Sequence, residues 1–417
     1  MMSKSDERGR IFYIIILFVS IFLFSACAPV GEPLPQISKE LRTQYLNANN
    51  LFAFKLYKEL RVAQKENLFF SPYSIYTAMV MTYVGAKGNT ATEIEKMLSL
   101  TLTGEDLHKA NGWFLTDLNN RGQAGYYELA IANKLWGQAG YTFLPDFLAT
   151  LKKYYGAGLE EVDFSKAPDV SRKKINDWVE NKTKQRIKDL LPAGSIDSAT
   201  RLVLANAIYF KADWLYQFKK DDTVSNDFAV SAKKNVKVEM MYQKVKINWA
   251  NLADLKILAL PYKNKELSMI LLLPNKKDGL IDLESKLSLA NLDKWTAQMH
   301  EEEVRIYLPK FEMTQKNPLR VHFQKMGMKQ AFSTTADFSN IDGTKELYIS
   351  EVFHKAFIKV DEEGTEAAAA TAVVFEKNSI SPDTIFRANH PFIFFIRDNK
   401  TQNILFIGSI KDPTQKN

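Results

Sequence analysis

Five histidines, at positions 108, 300, 322, 354 and 390, and a single cysteine, Cys27, are the residues best suited to metal binding or nucleophilic chemistry. No two of the histidines stand four residues apart, so the spacing that holds a metal on one helix face is missing, and a lone cysteine cannot complete a thiolate site. The nucleophile elbow G-x-S-x-G, the phosphate loop G-x-x-x-x-G-K-S/T and the dinucleotide turn G-x-G-x-x-G are also absent from the sequence. A catalytic triad is defined by geometry and needs no local motif, so a hydrolase is disfavoured rather than excluded. The expectation is a protein that is not an enzyme and uses no metal and no cofactor.

The segment with the most unusual chemistry runs from Asp361 to Phe375: Glu362, Glu363, Gly364, Thr365, Glu366, the alanines Ala367, Ala368, Ala369 and Ala370, then Thr371, Ala372, Val373 and Val374. Local propensity favours a surface helix, because alanine is the best helix former and acidic residues suit a helix N-terminus. Such a helix would have no apolar stripe to bury, since no apolar residue larger than alanine lies between Glu366 and Val373. Read as a strand, positions 365, 367, 369, 371 and 373 face one side as Thr, Ala, Ala, Thr and Val, all small and uncharged. A strand of that kind could slide into a closely packed sheet.

Elements must position such a segment. Apolar residues recur at three and four residues from Leu51 to Leu60, which predicts a helix. Ser71 followed by Pro72 predicts a capped start to a second one. Further helices are expected at 143–154 and 170–185, and strands at 202–210, 256–260, 268–273 and 303–308. Helices lead and strands dominate later, which points to an α+β architecture with large, mostly antiparallel β-sheets.

The run from Gly364 through the alanines resembles the hinge of the serpins, a family of serine protease inhibitors. Other segments agree in order: Phe69-Phe70-Ser71-Pro72, with Ser74-Ile75 after it, Ala205 to Trp214, Leu308 to Phe311, His354-Lys355-Ala356, Asn389 to Ile396 and Phe406-Ile407-Gly408. The resemblance implies a serpin fold over 45–414 with an exposed reactive-centre loop at about 362–387. It implies suicide inhibition of a target protease, serine-type first and cysteine-type as well, by covalent trapping and loop insertion into the main sheet. Glu362 to Thr371 would be the hinge. Ser71, Ser74, Asn206 and His354 would form a hydrogen-bonded shutter, and Trp214 would line the gateway. Counting from Glu362 places the reactive bond at Asn378–Ser379, with Lys377–Asn378 as the alternative. The other class of reading is a non-inhibitory serpin that acts as a binding or chaperone-like protein; the small residues at 365–371 speak against it.

The chain of 417 residues carries a net charge of +7 that forms no basic stripe, so nucleic acid is not an expected partner. No Pro/Gly/Ser-rich linker divides 45–414, which argues for one large domain; a monomer is the expected state. Lys4, Arg8 and Arg10 precede an apolar run from Ile11 to Phe24 that meets Ser25-Ala26-Cys27. This resembles a bacterial lipoprotein signal over 1–26, with Cys27 as the lipidation site and 27–44 as a tether rich in Pro29, Pro33 and Pro35. A membrane anchor helix is the other reading of this stretch. The expected location is the bacterial cell envelope, lipid-anchored in the outer membrane and facing the periplasm or the cell surface.

Overall fold

The computed structural model describes residues 33–63, 66–156, 158–365 and 384–415. Its helices are α1 (Lys39–Ala63), α2 (Pro72–Tyr83), α3 (Gly88–Leu98), α4 (Gly104–Gln123), α5 (Pro145–Tyr155), α6 (Pro168–Lys182), α7 (Leu280–Lys286), α8 (Leu289–Thr296), α9 (Arg320–Lys325) and α10 (Ser339–Asp342). Its strands are β1 (Leu68–Phe70), β2 (Glu128–Gln138), β3 (Leu159–Val162), β4 (Leu202–Asp213), β5 (Val224–Ser231), β6 (Lys234–Asn251), β7 (Leu255–Pro261) and β8 (Leu267–Pro274). These are followed by β9 (His300–Pro309), β10 (Phe311–Pro318), β11 (Phe353–Val360), β12 (Gly364–Thr365), β13 (Thr384–Arg387), β14 (Phe392–Asp398) and β15 (Ile404–Ile410). Helices lead and strands follow, as the order of sequence patterns predicts. The segment read as a tether is shorter than expected, because α1 already begins at Lys39 and residues 39–44 are its first turns. Among the described residues, no helix is long and apolar enough to cross a membrane.

Two sheets organise the molecule. One runs β1-β15-β14-β8-β7-β6-β9-β13, with β5 added on β6. Strands β8, β14 and β15 are buried at every position, which is why they carry continuous apolar runs such as Met269–Leu273, Phe392–Ile396 and Ile404–Ile407. The other, here called the central sheet, runs β10-β11-β12-β4-β2-β3, and β11 also pairs directly with β4. Most pairings are antiparallel; β11 with β4, β2 with β3 and β13 with β9 are parallel.

Helix α2 lies in the main core, and every residue from Pro72 to Thr82 is buried, which fits its apolar composition on all faces. The core is rich in aromatic pairs. Phe69 of β1 stacks on Phe406 with ring centres 5.5 Å apart and planes 4° apart, and on Phe394 at 5.9 Å. A second, smaller core on the outer face of the central sheet joins Trp136, Ala205, Ala207 and Tyr209 to Ile175 and Val179 of α6. Alternate residues of β4 thus face two different cores, as the period of a strand requires.

Removing the Phe69 ring would leave a void between two stacked partners. Phe69→Ala should destabilise the protein by about 3–5 kcal/mol in denaturant unfolding. An unchanged midpoint would show that the surrounding rings do not depend on it.

Candidate functional site

The site lies along the seam where β11 meets β4. Their parallel pairing runs from Phe353 opposite Ala205 to Phe357 opposite Tyr209. Within it His354 stands opposite Asn206, and both face the start of α2.

Ser71 caps α2 by accepting a hydrogen bond from the Ser74 N–H at 3.1 Å, and its own hydroxyl donates to the Leu405 carbonyl at 2.7 Å. The Ser71 backbone N–H donates to His354 Nε2 at 3.1 Å. Nε2 is therefore the acceptor of the imidazole, so Nδ1 carries the proton and donates to Asn206 Oδ1 at 2.5 Å. The Asn206 amide donates to the Ser74 carbonyl at 2.9 Å, to the Ser74 hydroxyl at 2.8 Å and to Asn133 Oδ1. Ser71, Ser74, Asn206 and His354 are thus brought together in one network. Asn133 of β2 belongs to it too. Sequence pattern gives no signal for Asn133, because only the register that sets it opposite Asn206 makes it a partner. His354 has no exposed surface, and burial pushes its pKa down to about 3. The ring is neutral, and both of its nitrogens are hydrogen-bonded.

The upper end of the seam is different. From Asn206 to Trp214, β4 and its exit span roughly 26 Å at about 3.3 Å per residue. Here the chain leaving β11 turns back, and Gly364 and Thr365 form β12, antiparallel to both neighbours: Thr365 lies opposite Ala212 and Val360, and Gly364 opposite Asp213. The turn is gripped from the β4 side. The Trp214 N–H donates to the Glu363 carbonyl at 2.9 Å, the Phe218 N–H to the Glu362 carbonyl at 2.8 Å, and the Trp214 indole to the Asp361 carbonyl at 3.0 Å. Trp214 stacks on Tyr262 at 4.6 Å, and the Tyr262 hydroxyl shares a hydrogen bond of 2.8 Å with the Thr365 hydroxyl. Tyr262 carries no sequence signal, since a tyrosine after β7 reads as ordinary core. Gly364 is required for close approach, because a Cβ there would meet the Ala212 carbonyl oxygen at 2.2 Å.

Glu362 and Glu363, which the resemblance assigns to the hinge of an exposed loop, are buried instead. Glu362 is 4% and Glu363 8% exposed. Glu362 pairs with Lys310 at 3.3 Å and accepts from the Thr223 hydroxyl at 2.8 Å; Glu363 pairs with Lys220 at 2.7 Å. Burial alone would raise the Glu362 carboxyl. Hydrogen bonds from its own backbone N–H and from Thr223, with the Lys310 charge, outweigh burial and lower its pKa. The far end of the expected loop is also tied down, since Thr384 to Arg387 form β13 on β9. The remaining hinge residues Glu366, Ala367, Ala368, Ala369, Ala370 and Thr371, the bond candidates Lys377, Asn378 and Ser379, and Cys27 lie outside the described residues.

A six-stranded sheet whose seam is bolted near its lower end by a buried histidine, backed by a nine-stranded sheet and fringed by helices, places the chain in one class of large α+β proteins. The family model described as Serpin (serine protease inhibitor) matches residues 47–413, and the chain belongs to that family. It is 44% identical over 386 residues to Serpin B3 of Homo sapiens, covering 88% of this chain and 98% of that protein. It is 42% identical over 380 residues to a leukocyte elastase inhibitor of Equus caballus, covering 89% and 100%. Among solved structures, uncleaved ovalbumin superposes with a TM-score of 0.81 at 34% identity, covering 89% of this chain and 100% of that one. Serpin48 of the insect Tenebrio molitor gives a TM-score of 0.80 at 34% identity, covering 90% and 99%.

The neutral state of His354 carries a pH signature. An unfolded histidine takes up its proton near pH 6.5, whereas the buried one resists until about pH 3. The unfolded state therefore binds the proton first as pH falls, so the stability is complete above about 6.5 and declines toward 3. At pH 5 this single residue should account for about 2 kcal/mol lost relative to pH 8. His354→Asn should flatten the fall in unfolding free energy between those pH values by that amount; an identical slope in the variant would contradict the assignment.

Proposed function

We propose that this serpin is a suicide inhibitor of serine-type endopeptidases, and of cysteine-type ones as a secondary target, that traps them covalently by drawing its own loop into the central sheet. It would act as a monomer and without catalytic turnover. The observation that carries this reading is β12: Gly364 and Thr365 already occupy the space between β4 and β11 at the top of the sheet, paired with both.

Continuing that register would set position 367 opposite Phe210 and Ile358, 369 opposite Ile208 and Ala356, and 371 opposite Asn206 and His354. Phe210, Ile208, Ile358 and Ala356 among those partners belong to the main core, where an added side chain has to be small and uncharged to pack without strain or an unpaired buried charge. Ala367, Ala369 and Thr371 meet that demand. To advance, the strand must part the pairs from Phe357–Tyr209 down to Phe353–Ala205 and break the bond between His354 and Asn206. Insertion of about twelve residues gains on the order of 10 kcal/mol at about 1 per backbone hydrogen bond, before burial is added. That gain can drag an acylated protease across the molecule. Displacing its catalytic groups by about an ångström is enough to stall deacylation.

The reading places the reactive bond at Asn378–Ser379 by count from the hinge, with Lys377–Asn378 as the alternative that a protease with an acidic specificity pocket would cut. It also keeps 1–26 as an export signal and Cys27 as a lipidated N-terminus that holds the domain on a bacterial envelope. The relatives named above are animal proteins, so this part stands on Lys4, Arg8, Arg10, the apolar run and Cys27 alone.

Incubation with trypsin-like, chymotrypsin-like, subtilisin-like and papain-like proteases should give, with at least one, a complex that survives boiling in detergent. Mass spectrometry of the released C-terminal peptide should read its first residue as Ser379. Degradation by all of them with no stable complex would remove the inhibitor reading in favour of a binding or chaperone-like serpin. Thr365 has no exposed surface, so Thr365→Arg would bury an unpaired charge and expel the hinge. The variant should be cut as a substrate, with a raised stoichiometry of inhibition; an unchanged stoichiometry would count against insertion.

A further inference from the structure

On the outer face of the central sheet, an open cleft of about 640 Å³ lies between the chain that follows α6 and the strands β10 and β11. Four cations line it, Arg186, Lys188, Lys316 and Lys355, against one carboxylate, Glu66. Lys316 and Lys355 stand directly opposite each other in the β10–β11 ladder. Like charges in that position repel, and a free-standing sheet would place opposite charges there. Neither amine forms an ion pair among the described residues. Asp189 and Glu180 act on them only at longer range, and burial with mutual repulsion lowers the pKa of Lys316. The Lys316 ammonium instead sits 5.6 Å from the Phe353 ring centre, and the Arg186 guanidinium 5.6 Å from that of Phe357.

The four cations come from two sides of the seam. Lys316 and Lys355 belong to β10 and β11, whereas Arg186 and Lys188 belong to the connection that leads from α6 into β4. One bond already bridges the two sides: the Lys355 ammonium donates to the Lys188 carbonyl at 2.7 Å.

We infer that this cleft is a binding site for a multivalent phosphate- or sulfate-bearing anion, which staples the α6–β4 connection to β10 and β11 and holds the central sheet closed. Such an anion neutralises the Lys316–Lys355 repulsion and ties together two segments that must separate when the sheet opens. The binding half is independent of the inhibitor reading; the effect on trapping rests on it.

Titration calorimetry of the full chain with inorganic tripolyphosphate and with sucrose octasulfate, at low ionic strength, separates the two anion sources. At least one should bind, raise the thermal midpoint and slow formation of the detergent-stable protease complex. In Lys316→Gln/Lys355→Gln the affinity should fall by about tenfold or more, and both effects should vanish. Without anion, Lys316→Gln alone should raise the midpoint, because it relieves the repulsion; a lowered one would overturn the inference. So would equal affinity in wild type and double variant, or binding by neither probe. Binding with an unchanged trapping rate would overturn the staple, and absence of any complex would sink the inhibitor reading while the titration still decides the site.

Discussion

The parallel pairing of β11 with β4 governs the rest of the structure, because its residues face both cores and its length sets how firmly the two halves of the central sheet are joined. Among the described residues it extends only from Phe353–Ala205 to Phe357–Tyr209, whereas β2 pairs with β4 along ten residues from Glu128 to Gly137. The short pairing is reinforced by a buried polar network in which each nitrogen of His354 has a partner. Such a network is strong while complete and costly once half broken, so it favours a sheet that is either shut or fully opened.

What waits at the top of the seam gives that choice a direction. The turn at 361–363 is held by backbone bonds from Trp214 and Phe218 and by ion pairs from Lys310 and Lys220, so the reversal into β12 is already made. Turn formation and register selection are the slow, entropically expensive part of adding a strand. With both settled, the insertion proposed above would next have to peel apart Phe357 and Tyr209, the pair nearest Thr365. A glycine at 364 lets the backbones approach, and the Trp214–Tyr262 stack forms a wall against which the first small side chain packs.

Much of this was legible in the sequence, and the parts that were not share a cause. Periodicity located α1, α2 and the buried strands, because apolar spacing reports directly on which face is covered. Ser71 was legible as a cap. Burial of Glu362 and Glu363 was not, since two adjacent glutamates read as solvated until Lys310 and Lys220 are brought to them from connections distant in the sequence. Nor were the partners Asn133 and Tyr262, whose roles are set by register and stacking. The start of α1 at Lys39 was missed because its first turns, Lys39 to Thr43, are largely polar and exposed, so they carry no stripe. Likewise α3 and α4 were not anticipated, since α4 buries polar residues such as Asn111, Asp117 and Arg121 along with its apolar ones.

The proposed inhibition requires that the intact fold store free energy, released at the seam when the chain between β12 and β13 is cut. Limited cleavage by a non-target protease between residues 366 and 383, followed by calorimetric melting of the nicked and intact protein, measures this directly. The nicked form should melt far higher than the intact one. Equal melting temperatures would mean that no strand is added and that the seam is an ordinary, permanently closed part of the sheet.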